Sequence, residues 1–524
     1  MERKRIAIVG SGISGLAALW TLRNSPHEVH LFEKESRLGG HTNTATWTHN
    51  GKSIPVDTGF IVLNTATYPN FIAFLEALKV KTIASEMTFG ISRDAGAFEW
   101  SGTSGATLFA QPENALKISF WRMIFDIIRF NQFALDLLSV HPGSSTWITP
   151  ETSIGEYLER EGYSQAFRDD YLIPMTACVW STDADKCALE FPALTLIRFM
   201  WNHHLLSTIS ERPPWLTVEG GSKRYIDAVM IECRKAHIHL NTPIKSLTRR
   251  DGRVELIVGG EINDKTELFD EVILACHGDQ ARHIIGSSAT FEEKDILSAF
   301  ETTPNTAYLH SDLSLMPQRR AAWSAWNYLT TSQPSPSTRI NDQPSGALQT
   351  VSLTYNMNIL QALPVSDFSN VLVTLNPEVP PSPASTQATY EYRHPLYNAR
   401  MIAAQSELEK IQGKRGVWYA GAWTGYGFHE DGFSSGMNVG LRLGGTVPWA
   451  VKDAKFSRGM VPVFTWKDYA ARIVIWVLQV WISILERVLG TSVGTQKGER
   501  RGMVNGVKGR ADGAVEGKKK KKAM

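Results

Sequence analysis

The chain of 524 residues has little cysteine, and what it has is scattered. Cys178, Cys187, Cys233 and Cys276 show none of the paired short spacings of a zinc site and are too few for a disulfide framework. Free thiols in a reducing compartment are expected, and no cysteine follows Cys276. No secretory leader is expected either: Met1-Glu2-Arg3-Lys4-Arg5 runs directly into an apolar strand, so the body is expected to face the cytosol. There are no internal repeats. Net positive charge is confined to one region. Residues 491–524 carry ten Lys or Arg against Glu499, Asp512 and Glu516, a tail of +7, which leaves −5 for the rest of a chain of net +2. A body of that sign excludes a nucleic-acid footprint. Long apolar runs are absent too. The longest candidate, Ile473 to Leu485, is thirteen residues interrupted by Gln479 and Ser483. At ~1.5 Å per residue it reaches roughly 20 Å, short of a ~30 Å hydrocarbon core, so a spanning helix is not expected.

What is present is a long, 43% hydrophobic chain, enough for a large core and more than one domain. Arg5 to Val9 reads as a strand, Ile13 to Leu22 as a helix and Val29 to Phe32 as a second strand. Apolar residues recur with helical spacing over 112–140 and 193–209; strand character returns over 237–256 and 269–275. Segments 331–345 and 376–388 have loop composition. Val417 to Ala420 is a last strand, with Met437 to Leu443 helical after it.

Between the first strand and helix lies Gly10-Ser11-Gly12-Ile13-Ser14-Gly15, a G-x-G-x-x-G. Its first glycine makes the turn, its second admits a pyrophosphate, and its third lets helix and strand pack closely, while the helix N-terminus offers free N–H groups to phosphate. Glu33, 18 residues after Gly15 at the end of the second strand, stands where an acid accepts from ribose hydroxyls. A glycine turn without ligand is the competing reading. Lys34, then Arg37-Leu38-Gly39-Gly40-His41-Thr42, add an arginine and a second glycine turn near the same phosphates, which favours FAD over NAD.

This arrangement resembles the flavoprotein group of amine oxidases, phytoene desaturases and protoporphyrinogen oxidases. In that group the chain returns to FAD near its C-terminus; here Trp418-Tyr419-Ala420-Gly421-Ala422 and Gly425 to Gly432, then Ser435-Gly436, occupy that place. A narrower resemblance is to a subfamily of amine-oxidase-like proteins that also forms the N-terminal part of plant cyclopropane fatty acid synthases. It is carried by residues 39–44 (Gly-Gly-His-Thr-Asn-Thr), Val56 to Phe60, Pro174-Met175, Trp180-Ser181, Val218 to Ser222 before Tyr225, Ala325 to Tyr328, Thr354 to Asn358 and Gly427 to Gly432, and covers roughly 5–447.

The resemblance implies an α/β fold: a Rossmann-like FAD-binding domain of amine oxidase type with an inserted mixed α+β substrate domain and a C-terminal helix. The FAD-binding parts are 1–75, 216–290 and 401–450. The substrate parts are 76–215, largely helical, and 291–400, the sheet; an amphipathic helix at 465–490 and a disordered basic tail at 491–524 follow. It also implies that Glu430 or Asp431 holds ribityl or pyrophosphate-side groups, with Gly421 and Ser435 beside the cofactor. Capping of a helix beginning near Ser435 is the alternative for the acidic pair. His41 and His429 are the candidate catalytic residues, and for His41 simple hydrogen bonding in a loop competes. No metal site is expected: His203 and His204 are neighbours on a helix and point apart. A covalent thioether to FAD from the C-terminal segment is excluded, because that segment has no cysteine.

The activity implied is an FAD-dependent oxidase or desaturase acting on a hydrophobic, fatty-acyl substrate. A flavin amine oxidase is one alternative, though the aromatic pair and lysine it uses cannot be placed. A non-redox isomerase or lipid-binding partner of a methyltransferase is another. On a helical wheel Asp468, Arg472, Gln479, Ser483 and Glu486 form one narrow stripe, with Trp476 and Trp481 opposite. That suits a helix at a membrane surface, helped by Lys518 to Lys522; packing on the protein itself or in a dimer is the competing reading. The sequence sets no oligomeric state.

Overall fold

In a computed structural model the described residues are 2–139, 149, 151–180, 187–206, 213–260, 263–332, 348–454 and 457–489. The expectations for the basic tail, for Ser181, for the side chains of Cys178 and Cys187 and for most of the 331–345 loop lie outside them.

A parallel five-stranded sheet organises the molecule, in the order His237–His239, Glu28–Phe32, Arg5–Val9, Glu271–Leu274, Val417–Tyr419. Residues from the start, middle and end of the chain therefore lie side by side. Both faces are covered, which is why the strands read as unbroken apolar runs. Ile6, Ile8, Leu31 and Ile273 pack with Leu16, Trp20, Phe71 and Phe74, while Ala7, Val9, Val272 and Leu274 pack with Val254, Leu256 and Ala281 on the other side.

A second, seven-stranded sheet runs Thr386–Pro395, Thr302–His310, Leu372–Leu375, Leu348–Asn356, Trp326–Ser332, Phe89–Arg93, Phe98–Ser101. Its last two strands come from 76–215, where helices dominate from Gly105 onward after an opening of strands Thr82–Ser85, Phe89–Arg93 and Phe98–Ser101. Phe89–Arg93 is completed by parallel pairing with Trp326–Ser332, more than 200 residues away. No local periodicity reports such a partner.

The helix after the last strand also differs. It spans His429–Arg442 and begins well before Ser435. Gly432, Ser434, Ser435 and Gly436 have poor helix propensity, but the helix lies directly on Ile13–Leu22. A Cβ on Gly436 would stand 1.9 Å from the Ser14 carbonyl oxygen; one on Gly432 would stand 2.7 Å from Ile13, and one on Gly440 2.8 Å from Thr21. Glycine every fourth residue thus gives one face without side chains, and packing supplies what propensity lacks.

The C-terminal helix is Trp466–Leu489, 24 residues within the expected 465–490 and longer than the thirteen-residue apolar run inside it, about 36 Å at ~1.5 Å per residue. Length therefore does not exclude a span. Lys467, Arg472, Glu486 and Arg487 are good helix formers and do not end the helix where the apolar run ends.

Gly436→Val is expected to lower stability by about 3 kcal/mol, since neither backbone can retreat from so close a contact. Thermal unfolding of the variant against wild type measures this, and Gly445→Ala does not substitute for it as a control because Gly445 also sits against Thr21; exposed Gly105→Ala, with open space at its Cβ, does.

Candidate functional site

A cavity of about 920 Å³ runs from the G-x-G-x-x-G turn to the seven-stranded sheet. At its first end Gly10 takes φ +102°, a conformation open to glycine, and its N–H donates to the Phe32 carbonyl at 2.8 Å. A Cβ on Gly15 would stand 1.9 Å from the Gly10 carbonyl oxygen, whereas one on Gly12 meets nothing within 4 Å. The space before Gly12 is a cradle that a side chain would fill. Gly12 is also the N-cap of Ile13–Leu22 and provides no side-chain cap, so the first N–H groups of a fully buried helix are left for a ligand. Gly40 lies against Gly12, its would-be Cβ 3.3 Å from the Gly12 Cα, and the Gly39 N–H donates to the Ser11 carbonyl at 3.1 Å. The two glycine turns form one wall.

Glu33 is buried; its Oε2 accepts from the Ser11 N–H at 2.9 Å and Oγ at 2.6 Å, and its Oε1 from the Glu35 N–H at 3.0 Å. Further lone pairs remain for a ribose hydroxyl. Lys34 pairs with Glu35 at 3.3 Å and Arg37 donates to the Gly40 carbonyl at 2.9 Å, both on the cavity wall with Ser11, Ser14, Gly39 and His41. From the far end of the chain Gly421, Phe428 and His429 join them.

Five of the expected cofactor residues, Gly15, Thr42, Glu430, Asp431 and Ser435, are behind the wall rather than on it. Thr42 Oγ1 bonds the Tyr225 hydroxyl, which in turn bonds His429 Nε2 at 3.0 Å. Glu430 accepts from the Asn70 N–H at 3.1 Å, Asn70 Nδ2 at 2.8 Å and the Phe71 N–H at 2.8 Å, so it holds the first turn of helix Pro69–Ala77. Burial pushes its carboxyl up to about 7 against those bonds. Asp431 accepts from the Phe428 N–H at 3.0 Å and so caps the start of its own helix. Ser435 Oγ accepts from the Gly421 N–H at 2.9 Å. An acid in the first turn of a helix satisfies backbone donors before it reaches a ligand, which is the capping alternative realised at two different helices.

Other motif residues form the scaffold. Asp57 Oδ1 accepts from Thr44 Oγ1 at 2.5 Å and Ser222 Oγ at 2.7 Å, tying 39–44, 56–60 and 218–222 together. Asn43 Nδ2 donates to the Tyr392 hydroxyl at 3.1 Å, fixing the ring that stacks on His41 at 5.1 Å.

Histidine dominates the polar lining. His41 lies 5.6 Å from His277 and 5.3 Å from His394, ring centre to ring centre. His41 Nε2 and His394 Nδ1 are buried with no partner. Burial pushes His429 down to about 3 and His203 and His394 to about 4; it lowers His277, and lowers His41 well below the imidazole range, with the neighbouring histidines adding to the effect on His41. His429 also stacks on Phe60 at 3.7 Å. His203, considered in the sequence only as a metal ligand, lines the cavity beside Phe199 and Phe428. Its Nδ1 lies 3.0 Å from the Phe199 carbonyl, which only accepts, so Nδ1 carries the proton and Nε2 is a free base. His277, His394 and Tyr392 drew no notice in the sequence. The alternation Tyr390, Tyr392, His394 on one face of Thr386–Pro395 was their available signal. Trp326 and Tyr355, more often core residues, form an edge-to-face pair at 5.1 Å on the cavity wall. Among the described residues the one lysine lining it is Lys34, at the first end. Cys276 also lines it, and burial pushes its thiol up to about 12.

Against the expectation of no metal site, Glu28, His30 and His237 bring ligand atoms within 4.8 Å of one another at the edge of the parallel sheet. Arg5 Nε, 3.2 Å from Glu28 Oε1, and Arg3, 3.3 Å from its Oε2, already neutralise that carboxylate.

Residues 8–78 match the model of the NAD(P)-binding Rossmann-like domain family. The flavin-dependent L-tryptophan oxidase RebO of Lentzea aerocolonigenes is 22% identical over 286 residues, 52% of this chain and 57% of that protein. The chain thus spans little more than half of that relative. Among solved structures, the CLA-producing fatty acid isomerase from P. acnes superposes with a TM-score of 0.55 at 15% identity, over 84% of this chain and 99% of that one. Putrescine oxidase bound to putrescine gives 0.55 and 15% over the same shares. The chain therefore has a Rossmann-like dinucleotide-binding domain within the fold shared by flavin-type amine oxidases and this isomerase.

The neutral histidines set a pH dependence. Each has a folded pKa below its unfolded value near 6.5, so its contribution to stability is complete above pH 6.5 and is lost as pH falls toward 4 and 3. Thermal unfolding from pH 7.5 to 4.5 is expected to show a steep loss, each histidine adding up to about 1.4 kcal/mol per pH unit, and His394→Gln is expected to flatten it.

Proposed function

We propose that the protein is an FAD-dependent oxidoreductase, an oxidase or desaturase, that dehydrogenates a hydrophobic substrate of fatty-acyl type. The observation that carries this reading is the single cavity, whose first end is an open glycine cradle with an uncapped helix N-terminus and whose far end is walled by Ile61, Val62, Met87, Trp215, Trp326 and Tyr355. The residues present fit FAD. Gly10 to Ser14 and Gly39-Gly40 would hold the pyrophosphate and Glu33 the ribose, and the unpartnered His41 Nε2 and His394 Nδ1 would offer polar contacts farther along. When bound, FAD supplies the two-electron acceptor, restored by oxygen or another acceptor.

The chain's own part is to bind the substrate at the apolar end of the cavity and to take a proton. His203 Nε2 is the base proposed for that step, because its tautomer is fixed by Phe199 and burial keeps it neutral. His41 and His429 lie at the cofactor end, where they orient rather than deprotonate. The resemblance to the N-terminal part of cyclopropane fatty acid synthases supports an acyl chain, as does the absence of any lysine but Lys34 from the described lining. A second reading, an isomerase that turns over without net flavin reduction, is favoured by the fold shared with the fatty acid isomerase.

Anaerobic titration separates these. Bleaching near 450 nm by unsaturated or methyl-branched acyl lipids, and not by amines, is expected; amine bleaching reverses the substrate assignment, and product without bleaching favours the isomerase. Gly12→Asp is expected to fold but to be purified without flavin absorbance, since its side chain enters the cradle and repels phosphate. His203→Asn keeps a donor for the Phe199 carbonyl and is expected to retain FAD while bleaching about 10²–10⁴-fold more slowly.

A further inference from the structure

Helix Trp466–Leu489 wears its polarity inside out. Its body-facing positions recur three or four residues apart and include most of its charged and polar side chains. Arg472 Nη1 donates to Asp136 at 2.8 Å, Arg129 to Gln479 Oε1 at 3.2 Å, and Arg122 to Glu486 Oε1 at 2.6 Å, with Ile475, 5% exposed, among them. The opposite face carries Trp466, Ile473, Trp476, Val477, Trp481 and Ile484 into solvent, with Trp476 63% and Trp481 60% exposed. A helix on a water-facing surface has the reverse arrangement. Leu116, Ile118 and Trp121, on or just before the helix Ile118–Phe133 against which it packs, are also exposed and extend the apolar ground.

We infer that this face lies in the interfacial layer of an anionic lipid bilayer, with the helix parallel to the surface. Its polar stripe is bound to Arg122, Arg129 and Asp136 of the body, so the helix cannot turn upright to span without breaking those pairs. Three tryptophans along the exposed side are the residues that favour the headgroup boundary. The charge agrees: the sequence that follows Leu489 carries the +7 of residues 491–524, attracted to acidic headgroups, on a chain otherwise at −5. An apolar strip along a helix about 36 Å long exceeds what scattered surface residues explain.

The docked face is joined to the cavity. Arg458 Nη1 donates to the Trp201 carbonyl at 2.9 Å, and Arg198 donates to the Met460 carbonyl. Both bonds hold the segment before the helix on Ala193–Asn202, which supplies Phe199 to the cavity wall. A bilayer under the C-terminal helix therefore lies beside the element that lines the apolar chamber, as an acyl substrate drawn from lipid requires. Membrane docking itself does not rest on the redox reading, and its test uses no turnover.

The full-length, FAD-loaded chain is tested by flotation with vesicles of phosphatidylcholine alone and of phosphatidylcholine with 30% phosphatidylglycerol. Wild type is expected to float with the anionic vesicles, at least tenfold less with the neutral ones, and to be largely released by 0.5 M salt. The double variant Trp476→Glu, Ile484→Glu is expected to bind at least tenfold less while keeping its flavin absorbance and melting temperature. Val477→Glu, Trp481→Glu gives a second, independent check should the first fail to fold. Wild type that stays unbound on both vesicles overturns the inference. So does a wild-type dimer in light scattering that the double variant turns into a monomer without any vesicle binding, which assigns the face to a second copy of the chain. Anionic vesicles that bind wild type and double variant equally also overturn it, by leaving the tail as the sole attachment.

Discussion

The contact between Ile13–Leu22 and His429–Arg442 is the constraint on which the rest depends. Gly432, Gly436 and Gly440 leave a bare helical face, and the backbone around Ser14 and Thr21 settles into it at distances no side chain permits. Because the first helix begins at the G-x-G-x-x-G turn and the second begins at His429, this contact brings two ends of the chain to one cavity. Ser435 then holds the Gly421 N–H, and Glu430 reaches the first turn of Pro69–Ala77. The acids that follow His429 are consumed in fastening the site together.

The same burial that assembles the cavity sets its charge. His41, His203, His277, His394 and His429 are all driven toward the neutral form by loss of water, and no carboxylate is close enough to oppose it at His203 or His394. Neutral imidazoles suit buried positions: they accept or donate hydrogen bonds without the cost of a buried charge. At His203 the Phe199 carbonyl goes further and decides which nitrogen carries the proton.

Desolvation works in the opposite direction on the outer surface. The ion pairs of Arg122 with Asp126 and Glu486 are set between two helices, and apolar side chains are left outside. Water does not favour that exchange; an apolar neighbour does. The polar stripe read on the helical wheel was therefore right about which residues share a side, and only the packing told that this side faces the protein.

Legibility followed the range of the interaction. Gly10 to Gly15, Glu33 and Gly39-Gly40 were readable because their roles arise within one strand, turn and helix, where spacing fixes geometry. The Rossmann-like fold followed from them. Glu430 and Asp431 were left between two readings because an acid near a helix start has the same local pattern whether it meets a ligand or a backbone N–H. The strand Phe89–Arg93 was missed because its partner is distant in sequence, and His394 because only alternation with Tyr390 and Tyr392 marks its face. The sequence by itself determined the dinucleotide turn, the apolar strands and the composition of the C-terminal helix, all set by local backbone sterics and hydrophobic periodicity. Tertiary structure alone decided which histidines share a cavity, which acids cap helices and which side of the last helix is bare, because desolvation and close packing depend on neighbours hundreds of residues away.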